Sequence, residues 1–157
     1  MIRNDAGYKM QDGKNTKRGL KVKEQASIYN AEAKLSYRDL DIYLLSHELA
    51  IKIHEMTIKL PRFEMYEEGS QIRRSAKAIP ANITEGFGRR RYKKEFVRFM
   101  VFAHSSTDET MEHLRILFET RAIDNKIYED LMVSYEKLSK MIYRFIQAIE
   151  REHKDIQ

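Results

Sequence analysis

Apolar residues recur every third or fourth position along four segments of this chain, and this spacing predicts four amphipathic helices. The predicted helices cover residues 39–60, 70–88, 92–122 and 126–153. In the second helix the apolar positions are four, three and four residues apart, a spacing that a strand cannot keep on one side. Those positions are Ile72, Ala76, Ile79 and Ile83. The hydrophobic pattern therefore favours an all-α protein.

The first helix has an entry signal, a candidate core stripe and a stop. Ser36 and Asp39 have the three-residue spacing of a capping box, in which each side chain bonds the backbone amide of the other residue. Pro61 ends the segment because proline supplies no backbone donor. Four residues keep a heptad phase and are expected to face the core, namely Leu40, Leu44, Ile51 and Ile58, and they are flanked by Leu45, Leu49 and Met56.

The second helix carries a proline within its apolar stripe. Pro80 removes one backbone hydrogen bond, at a cost of roughly 3 kcal/mol unless neighbouring groups compensate. Because Ile83 stays in phase beyond it, we expect the helix to continue with a kink. Short polar side chains are expected to satisfy the freed carbonyl, namely those of Ser75, Asn82 and Thr84. Gly86 and Gly88 predict the helix end, since glycine adopts the left-handed conformation at little cost.

The third and fourth helices carry longer apolar stripes. The third stripe runs through Phe96, Phe99, Ala103, Thr110, Leu114, Leu117 and Arg121. The fourth alternates four and three residues through Leu131, Tyr135, Leu138, Ile142, Phe145 and Ile149. Asp124 and Asn125 offer a cap after a short turn, so the fourth helix must fold back on the third. The predicted fold is an all-α, antiparallel up-down-up-down four-helix bundle with a kinked second helix.

Outside the helical pattern, residues 1–35 show no sustained period, and we expect them to form a disordered, basic tail. Residues 36–153 are expected to form one bundle domain, which the length of 157 residues allows. The absence of cysteine excludes a disulfide framework and fits a reducing cytoplasm. No apolar run approaches the ~20 residues of a membrane span, and no secretion signal is evident. We therefore expect a cytoplasmic protein with no membrane partner.

The net charge of +5 is distributed unevenly. Residues 1–38 carry nine Lys/Arg and four Asp/Glu, whereas residues 39–157 carry twenty of each. Within the bundle, residues 71–98 carry nine basic and two acidic side chains, a local charge of +7. Residues 108–130 carry seven acidic and three basic side chains, a local charge of −4. Regions of opposite sign suit nucleic-acid binding and head-to-tail self-association alike.

The basic cluster allows two interpretations. It is either a solvated helix face with its turn or a surface that binds phosphates, for which the planar fork of arginine is well suited. The candidate nucleic-acid-binding residues are Arg73, Arg74, Lys77, Arg89, Arg90, Arg91, Lys93 and Lys94. Phe87 and Tyr92 lie among them and either pack or stack on unpaired bases. The helical period places Phe96 in the core.

Signals for metal binding are weak. His47 and His54 are seven residues apart, and His104 and His113 each lie four residues from a carboxylate. A carboxylate-bridged metal bundle needs a Glu-x-x-His motif on each of two helices, and this pair is not present. The zinc motif HExxH is absent too. We expect neither a metal nor a cofactor.

Signals for catalysis are equally weak. Glu85 and Glu109 either act as acid and base or form an ion pair with Arg73 or Arg74 of the second helix. No serine lies in a nucleophile elbow, and spacing alone assigns no Ser-His-Asp triad. We therefore expect that the protein is not an enzyme.

The proline-containing stretch also carries a family resemblance. Residues 70–89 read S-Q-I-R-R-S-A-x-x-I-P-A-N-I-x-E-G-x-G-R, and K-E-F-x-R-F follows. This run resembles the four-helix bundle family of proteins encoded by intervening sequences within bacterial 23S rRNA genes. The accessory variability determinant of diversity-generating retroelements is a more distant relative. The resemblance covers roughly residues 37–149.

The resemblance implies a bundle that assembles as a ring homo-oligomer, often a pentamer, and associates with nucleic acid or nucleoprotein without known catalysis. Together with the basic cluster, it favours a non-enzymatic protein that binds RNA or DNA. The alternative is an oligomeric scaffold or accessory protein. In that case the basic surface meets an acidic patch on a neighbouring subunit or on a partner such as a reverse transcriptase.

Overall fold

The computed structural model of the protein describes residues 36–152, and this part of the chain is helical with no strand. The prediction of an all-α fold with four long helices is confirmed. The predicted tail of residues 1–35 and the end of the fourth predicted helix at His153 lie outside the described residues. A 3₁₀ turn at Tyr37–Asp39 is followed by α1 (Asp41–Thr57), α2 (Arg62–Tyr66), α3 (Glu68–Gly88), α4 (Lys93–Glu119) and α5 (Asn125–Glu152).

The long helices pack on their sequence neighbours, and in the α3/α4 and α4/α5 pairs the contacts run in opposite order along the two helices. Between α3 and α4, the backbone of Gly86 faces Met100, and Ser75 bonds Thr110 further along. Between α4 and α5, the contacts are Phe96 with Phe145 at 5.8 Å and Phe118 with Tyr128 at 4.4 Å between ring centroids. Within residues 36–152, no helix combines the length and the apolar character that a membrane span requires.

The core is apolar apart from a few hydroxyl groups. Thr107 and Thr110 are fully buried on α4, and each donates to a carbonyl of the preceding turn. The hydroxyl of Thr110 also lies 2.9 Å from that of Ser75 on α3, and it links the two helices when it donates its one proton to Ser75 instead of to the carbonyl of Ser106. The serine and threonine hydroxyls are tolerated because each has a partner, whereas the buried hydroxyl of Tyr135 has none among the described residues. Tyr135 is fully buried on α5, and burial raises the pKa of its hydroxyl.

The predicted core face of α1 is wrong for most of its length. Leu40 is buried, but Leu44, Ile51 and Ile58 are 52%, 48% and 55% exposed. The buried face of α1 consists of Ile42, Ser46, Leu49, Ile53 and Thr57. Two of these are polar, which hid this phase in the sequence. Their hydroxyls donate to backbone carbonyls one turn earlier and so need no external partner.

Helix α3 passes through Pro80 without ending, as the apolar phase predicts. The proposed partners of the freed carbonyl are wrong, however. The carbonyl freed by Pro80 is that of Ala76, four residues earlier. Asn82 instead donates to the carbonyl of Ala78 at 2.8 Å, and Thr84 donates to that of Pro80 at 2.9 Å. Ser75 likewise bonds an earlier residue, at the carbonyl of Ile72.

The glycines near the end of α3 have a different role from the predicted one. The helix runs to Gly88, and no glycine of the described chain has a positive φ. Gly86 is buried instead because α4 packs directly on its backbone. A Cβ built there would lie 2.6 Å from the terminal methyl of Met100 and 2.8 Å from the Cβ of Phe99. Gly86 therefore allows the close approach of α3 and α4.

The predicted caps are present, although one is displaced. Ser36 and Asp39 form the capping box, but it encloses the 3₁₀ turn, and α1 begins only at Asp41. Asp124 caps α5 by accepting a hydrogen bond from the amide of Ile127 at 2.8 Å. Between α4 and α5 the chain reverses at Arg121, whose φ of 62° is the one positive value among the described non-glycine residues.

Replacement of Gly86 by alanine should destabilise the protein. The added Cβ meets the fixed Cβ of Phe99, and overpacking of this kind costs about 1–3 kcal/mol, more than the helix propensity of alanine returns. Gly88→Ala is the matched control, because a Cβ there meets nothing within 4 Å. Urea unfolding should show a loss for the first variant and no loss for the second. Equal stability of the two variants would contradict the close-packing role.

The corrected phase of α1 has a direct test. Ile53→Ala should reduce the free energy of unfolding by about 2–5 kcal/mol, because the side chain is fully buried. Ile51→Ala, two residues earlier, should change it by no more than about 0.5 kcal/mol, because that side chain is half exposed. Thermal or urea unfolding of the two variants decides between the phases, and the reverse ranking would restore the heptad prediction.

Candidate nucleic-acid interface

The connection between α3 and α4 concentrates basic side chains at one end of the bundle. Four residues join Gly88 to Lys93, and the amide of Tyr92 donates to the carbonyl of Arg89 at 2.9 Å, which closes a tight turn. We call residues 89–94 the basic turn, since five of its six residues are Arg or Lys. The section 85–98 holds six basic and two acidic side chains, a net charge of +4.

Arg89 is directed back onto the two helices. Its guanidinium pairs with Glu85 on α3 at 3.0 Å and with Glu95 on α4 at 3.8 Å. It also lies over the ring of Phe99, 5.1 Å from the centroid. These contacts link the last turn of α3 to the first turns of α4. Arg89 therefore supports the turn and has less freedom to follow a ligand.

Arg90 is also engaged with the protein. One nitrogen of its guanidinium donates to the carbonyl of Phe87 at 3.0 Å, and the group lies 4.2 Å from the centroid of the Phe87 ring. Phe87 itself is buried, and Tyr37 packs against its other side with ring centroids 6.5 Å apart. Arg90 thus packs on the ring of Phe87. Of the two roles predicted for Phe87, packing and stacking on bases, the structure favours packing. Phe96 is fully buried, as its period predicts.

The remaining residues of the basic turn point their charges outward. Arg91 and Lys94 are exposed and Lys93 is half-buried, and none of the three pairs with an acidic side chain of residues 36–152. Tyr92 is 66% exposed between them. An aromatic ring flanked by unpaired cations is the arrangement that stacks on bases and attracts phosphates.

The predicted eight-residue cluster does not form one patch. Arg74 and Lys77 are exposed in the first half of α3. Arg74 precedes Arg89 by 15 residues, which is about 22 Å at 1.5 Å per residue. Arg73 is half-buried and donates to the carbonyl of Met65 at 3.1 Å, so it holds α2 against α3. The structure therefore gathers Arg89, Arg90, Arg91, Lys93 and Lys94, and separates them from the other three.

Two further cations lie at the same end of the bundle. Arg98 is one turn into α4, where it pairs with Glu95 at 3.7 Å and lies over the ring of Phe102. Arg38 is exposed on the 3₁₀ turn, beside the Tyr37 that packs on Phe87. No motif marks Arg38 in the sequence, and only the fold brings it near the basic turn. Its neighbour Ser36 is the first described residue, so the basic N-terminal segment joins the bundle at this end.

The two carboxylates singled out in the sequence have other partners than expected. Glu85 pairs with Arg89, and Glu109 is largely exposed on α4, 3.6 Å from a histidine of its own helix. Neither pairs with Arg73 or Arg74 in the described structure, so that interpretation is wrong. A helix places residues four apart on one face, which is why both carboxylates find local partners.

Histidines link helices on this fold. Nδ1 of His113 on α4 makes a close contact with Oε1 of Glu68 at the start of α3, and both side chains are largely buried. The other ring nitrogen faces Glu109. Among residues 36–152, no group of three or more His, Asp or Glu side chains is arranged to hold a metal ion.

Ser139, His104 and Asp108 lie in the order of a catalytic triad at the surface between α4 and α5. The hydroxyl of Ser139 is 3.0 Å from Nε2 of His104. Nδ1 of His104 is 3.7 Å from the carboxylate of Asp108, which is too long for a hydrogen bond. Ser139 lies inside α5, where backbone amides bond the preceding turn and are not directed at a substrate oxygen. The arrangement fits a polar link between helices better than a nucleophile.

Comparisons with known proteins agree with the helical fold. No curated protein matches this chain. Among solved structures, a protein of unknown function from the S23 ribosomal protein family of Bacteroides thetaiotaomicron matches with a TM-score of 0.63 and 24% identity. The match covers 68% of this chain and 95% of that chain, and at this identity it shows the fold alone. The profile of the 23S rRNA-intervening sequence protein family matches residues 38–144, which include the basic turn. The chain therefore belongs to the 23S rRNA-intervening sequence protein family.

Proposed function

We propose that this protein is a non-enzymatic nucleic-acid-associated protein that binds the phosphates of RNA or DNA through the basic turn. One observation carries the proposal. Arg91, Lys93 and Lys94 have no acidic partner within residues 36–152, and they flank the exposed Tyr92 in the sequence of the basic turn. Unpaired surface cations can bind a phosphate without first breaking an ion pair within the protein.

Binding would be driven by the release of counterions from the nucleic acid, with little readout of sequence. The side chains of Arg91, Lys93 and Lys94 would neutralise phosphates, and Tyr92 would stack on an unpaired base. Arg89 and Arg90 would hold the turn in place through their contacts with Glu85, Glu95 and Phe87. The stacking role of Tyr92 favours single-stranded or structured RNA over a continuous duplex, because stacking needs unpaired bases.

We also propose that the binding unit is a ring homo-oligomer, a pentamer by family resemblance. A ring would place one copy of the basic turn from each subunit on the same rim. Several weak phosphate contacts on one nucleic acid would then act together and raise the overall affinity.

An oligomeric scaffold is the second candidate, and the distribution of charge favours it. The section 85–98 at one end of the bundle has a charge of +4, whereas residues 108–130, which reach the opposite end, have a charge of −4. Opposite charges at the two ends suit head-to-tail contact between subunits, or contact with a protein partner such as a reverse transcriptase.

The two candidates differ in what salt does to the assembly. If the charges serve subunit contact, the oligomer should dissociate in 1 M salt, where the Debye length is about 3 Å. If they serve nucleic-acid binding, the oligomer should keep its mass while the nucleic acid is released. Native mass at low and high salt, with and without a structured RNA, decides between them.

The basic turn has a matched test. The double variant Arg91→Ala/Lys94→Ala removes one exposed arginine and one exposed lysine, and we expect weaker binding of a labelled structured RNA. The slope of log affinity against log salt should fall by about 1.4 for two lost single-strand contacts. Arg74→Ala/Lys77→Ala removes the same charges from the first half of α3 and should leave the slope unchanged.

Filter binding or fluorescence anisotropy at four salt concentrations supplies the measurement. An equal loss in both double variants would show that only the overall charge matters. No loss in either variant would count against the basic turn as the site. Arg89 is left intact in this design, because its replacement would also disturb the junction of α3 and α4.

A further inference from the structure

Helix α1 carries a second apolar stripe on the side opposite the core. Leu44, Ile51 and Ile58 are seven residues apart, lie within about 40° of one another around the helix and extend for about 21 Å along it. All three are about half exposed. A stripe of this kind adds nothing to the packing of the monomer. Exposed apolar surface with a regular helical spacing marks a contact with another helix.

The stripe continues onto α5 across a groove. Leu44 and Leu45 on α1 line this groove together with Val133 and Met141 on α5. Val133 is 67% exposed. The apolar surface therefore extends beyond α1 near Leu44, and the other side chains that line the groove are charged.

Charged residues along the groove side of the stripe show what fits it. Glu48, Lys52, Glu55 and Lys59 alternate in sign, and their spacings are four, three and four residues. The same spacings result when the series is read backwards, but every sign is then reversed. A second α1 running in the opposite direction would therefore place each glutamate against a lysine. In a parallel pair this flank would face the opposite flank of the second copy, and the alternating charges would not meet.

We propose that the outer face of α1 binds the same face of a second copy of this chain about a two-fold axis. The axis passes α1 midway between the levels of Ile53 and His54. Glu48 then faces Lys59 of the second copy, and Lys52 faces its Glu55, which gives four such pairs by symmetry. In this register, Ile51 and the Ile58 of the second copy are offset by about 3 Å in the direction of the helix axis. The apolar side chains of the two copies therefore interdigitate.

This contact is distinct from the ring of the proposed function. A two-fold contact uses the same patch on both subunits and closes after two, whereas a ring of five needs two different patches on each subunit. The α1 contact would therefore pair two subunits or two rings. The apolar stripe supplies most of the attraction, and the charges set its direction, since exposed ion pairs contribute little. Glu48 and Lys52 also pair within the helix at 2.7 Å and would be shared between both partners.

The area is small for a stable interface, which normally buries about 800 Å² on each partner. We therefore expect an association that depends on concentration. Sedimentation velocity of the full-length chain over a hundredfold range of concentration should show the mass of the assembly doubling. Ile51→Lys should abolish the doubling, and Ile116→Lys, at an exposed isoleucine of α4, should not.

Charge reversal tests the antiparallel geometry itself. Glu48→Lys/Glu55→Lys makes the flank wholly basic and should abolish pairing, and Lys52→Glu/Lys59→Glu makes it wholly acidic with the same result. A mixture of these two variants should restore the doubled mass. The fourfold reversal, which regenerates the alternating pattern with opposite signs, should also pair with itself.

Circular dichroism should show that every variant is folded, because every substituted side chain lies on the surface. The proposal is overturned if Ile51→Lys has the mass distribution of the unmodified chain at every concentration. This is also the result expected if residues 1–35 or another protein cover the stripe. It is also overturned if the mixture of charge variants stays unpaired. RNA binding by the same variants should keep its salt slope, so failure of this inference is distinguishable from failure of the proposed function.

Discussion

The close approach of α3 and α4 at Gly86 is the constraint on which the candidate nucleic-acid interface depends. Without a side chain at Gly86, Met100 and Phe99 pack directly on the backbone of α3. The last turn of α3 and the first turns of α4 are thereby held together, and the hydrogen bond between Ser75 and Thr110 fixes the same pair further along. The connection between these helix ends is only four residues long, so its basic side chains lie close together on a small surface.

At that surface, residues of one chemical type have two roles. Arg89 and Arg90 face the protein, where carboxylates, a carbonyl and aromatic rings engage their guanidinium groups. Arg91 and Lys94 face solvent. The inward cations stabilise the turn that presents the outward ones. Net charge alone does not separate these roles, and this is why the cluster of +7 over residues 71–98 overstates the charge available to a ligand.

Helix α1 has a solvent-exposed apolar stripe with the spacing expected of a buried one. Its apolar residues form two stripes on opposite sides, one against the bundle and one in solvent. The outer stripe has the cleaner heptad spacing, because the inner one includes Ser46 and Thr57 with locally bonded hydroxyls. A helix with two apolar faces can pack on both sides. The inner interaction is within the chain, and the outer one is available to another helix.

The sequence by itself determined the four helices, the continuation of α3 through Pro80, the cap at Asp124 and the family, because these depend on local spacing, capping chemistry and a contiguous motif. Tertiary structure decided which stripe of α1 is buried, since both stripes satisfy the same helical period. It also decided that Gly86 serves packing and that Glu85 and Glu109 have local partners. Finally, it divided the eight candidate cations into two groups, because a straight helix separates residues that are near in sequence by 1.5 Å each.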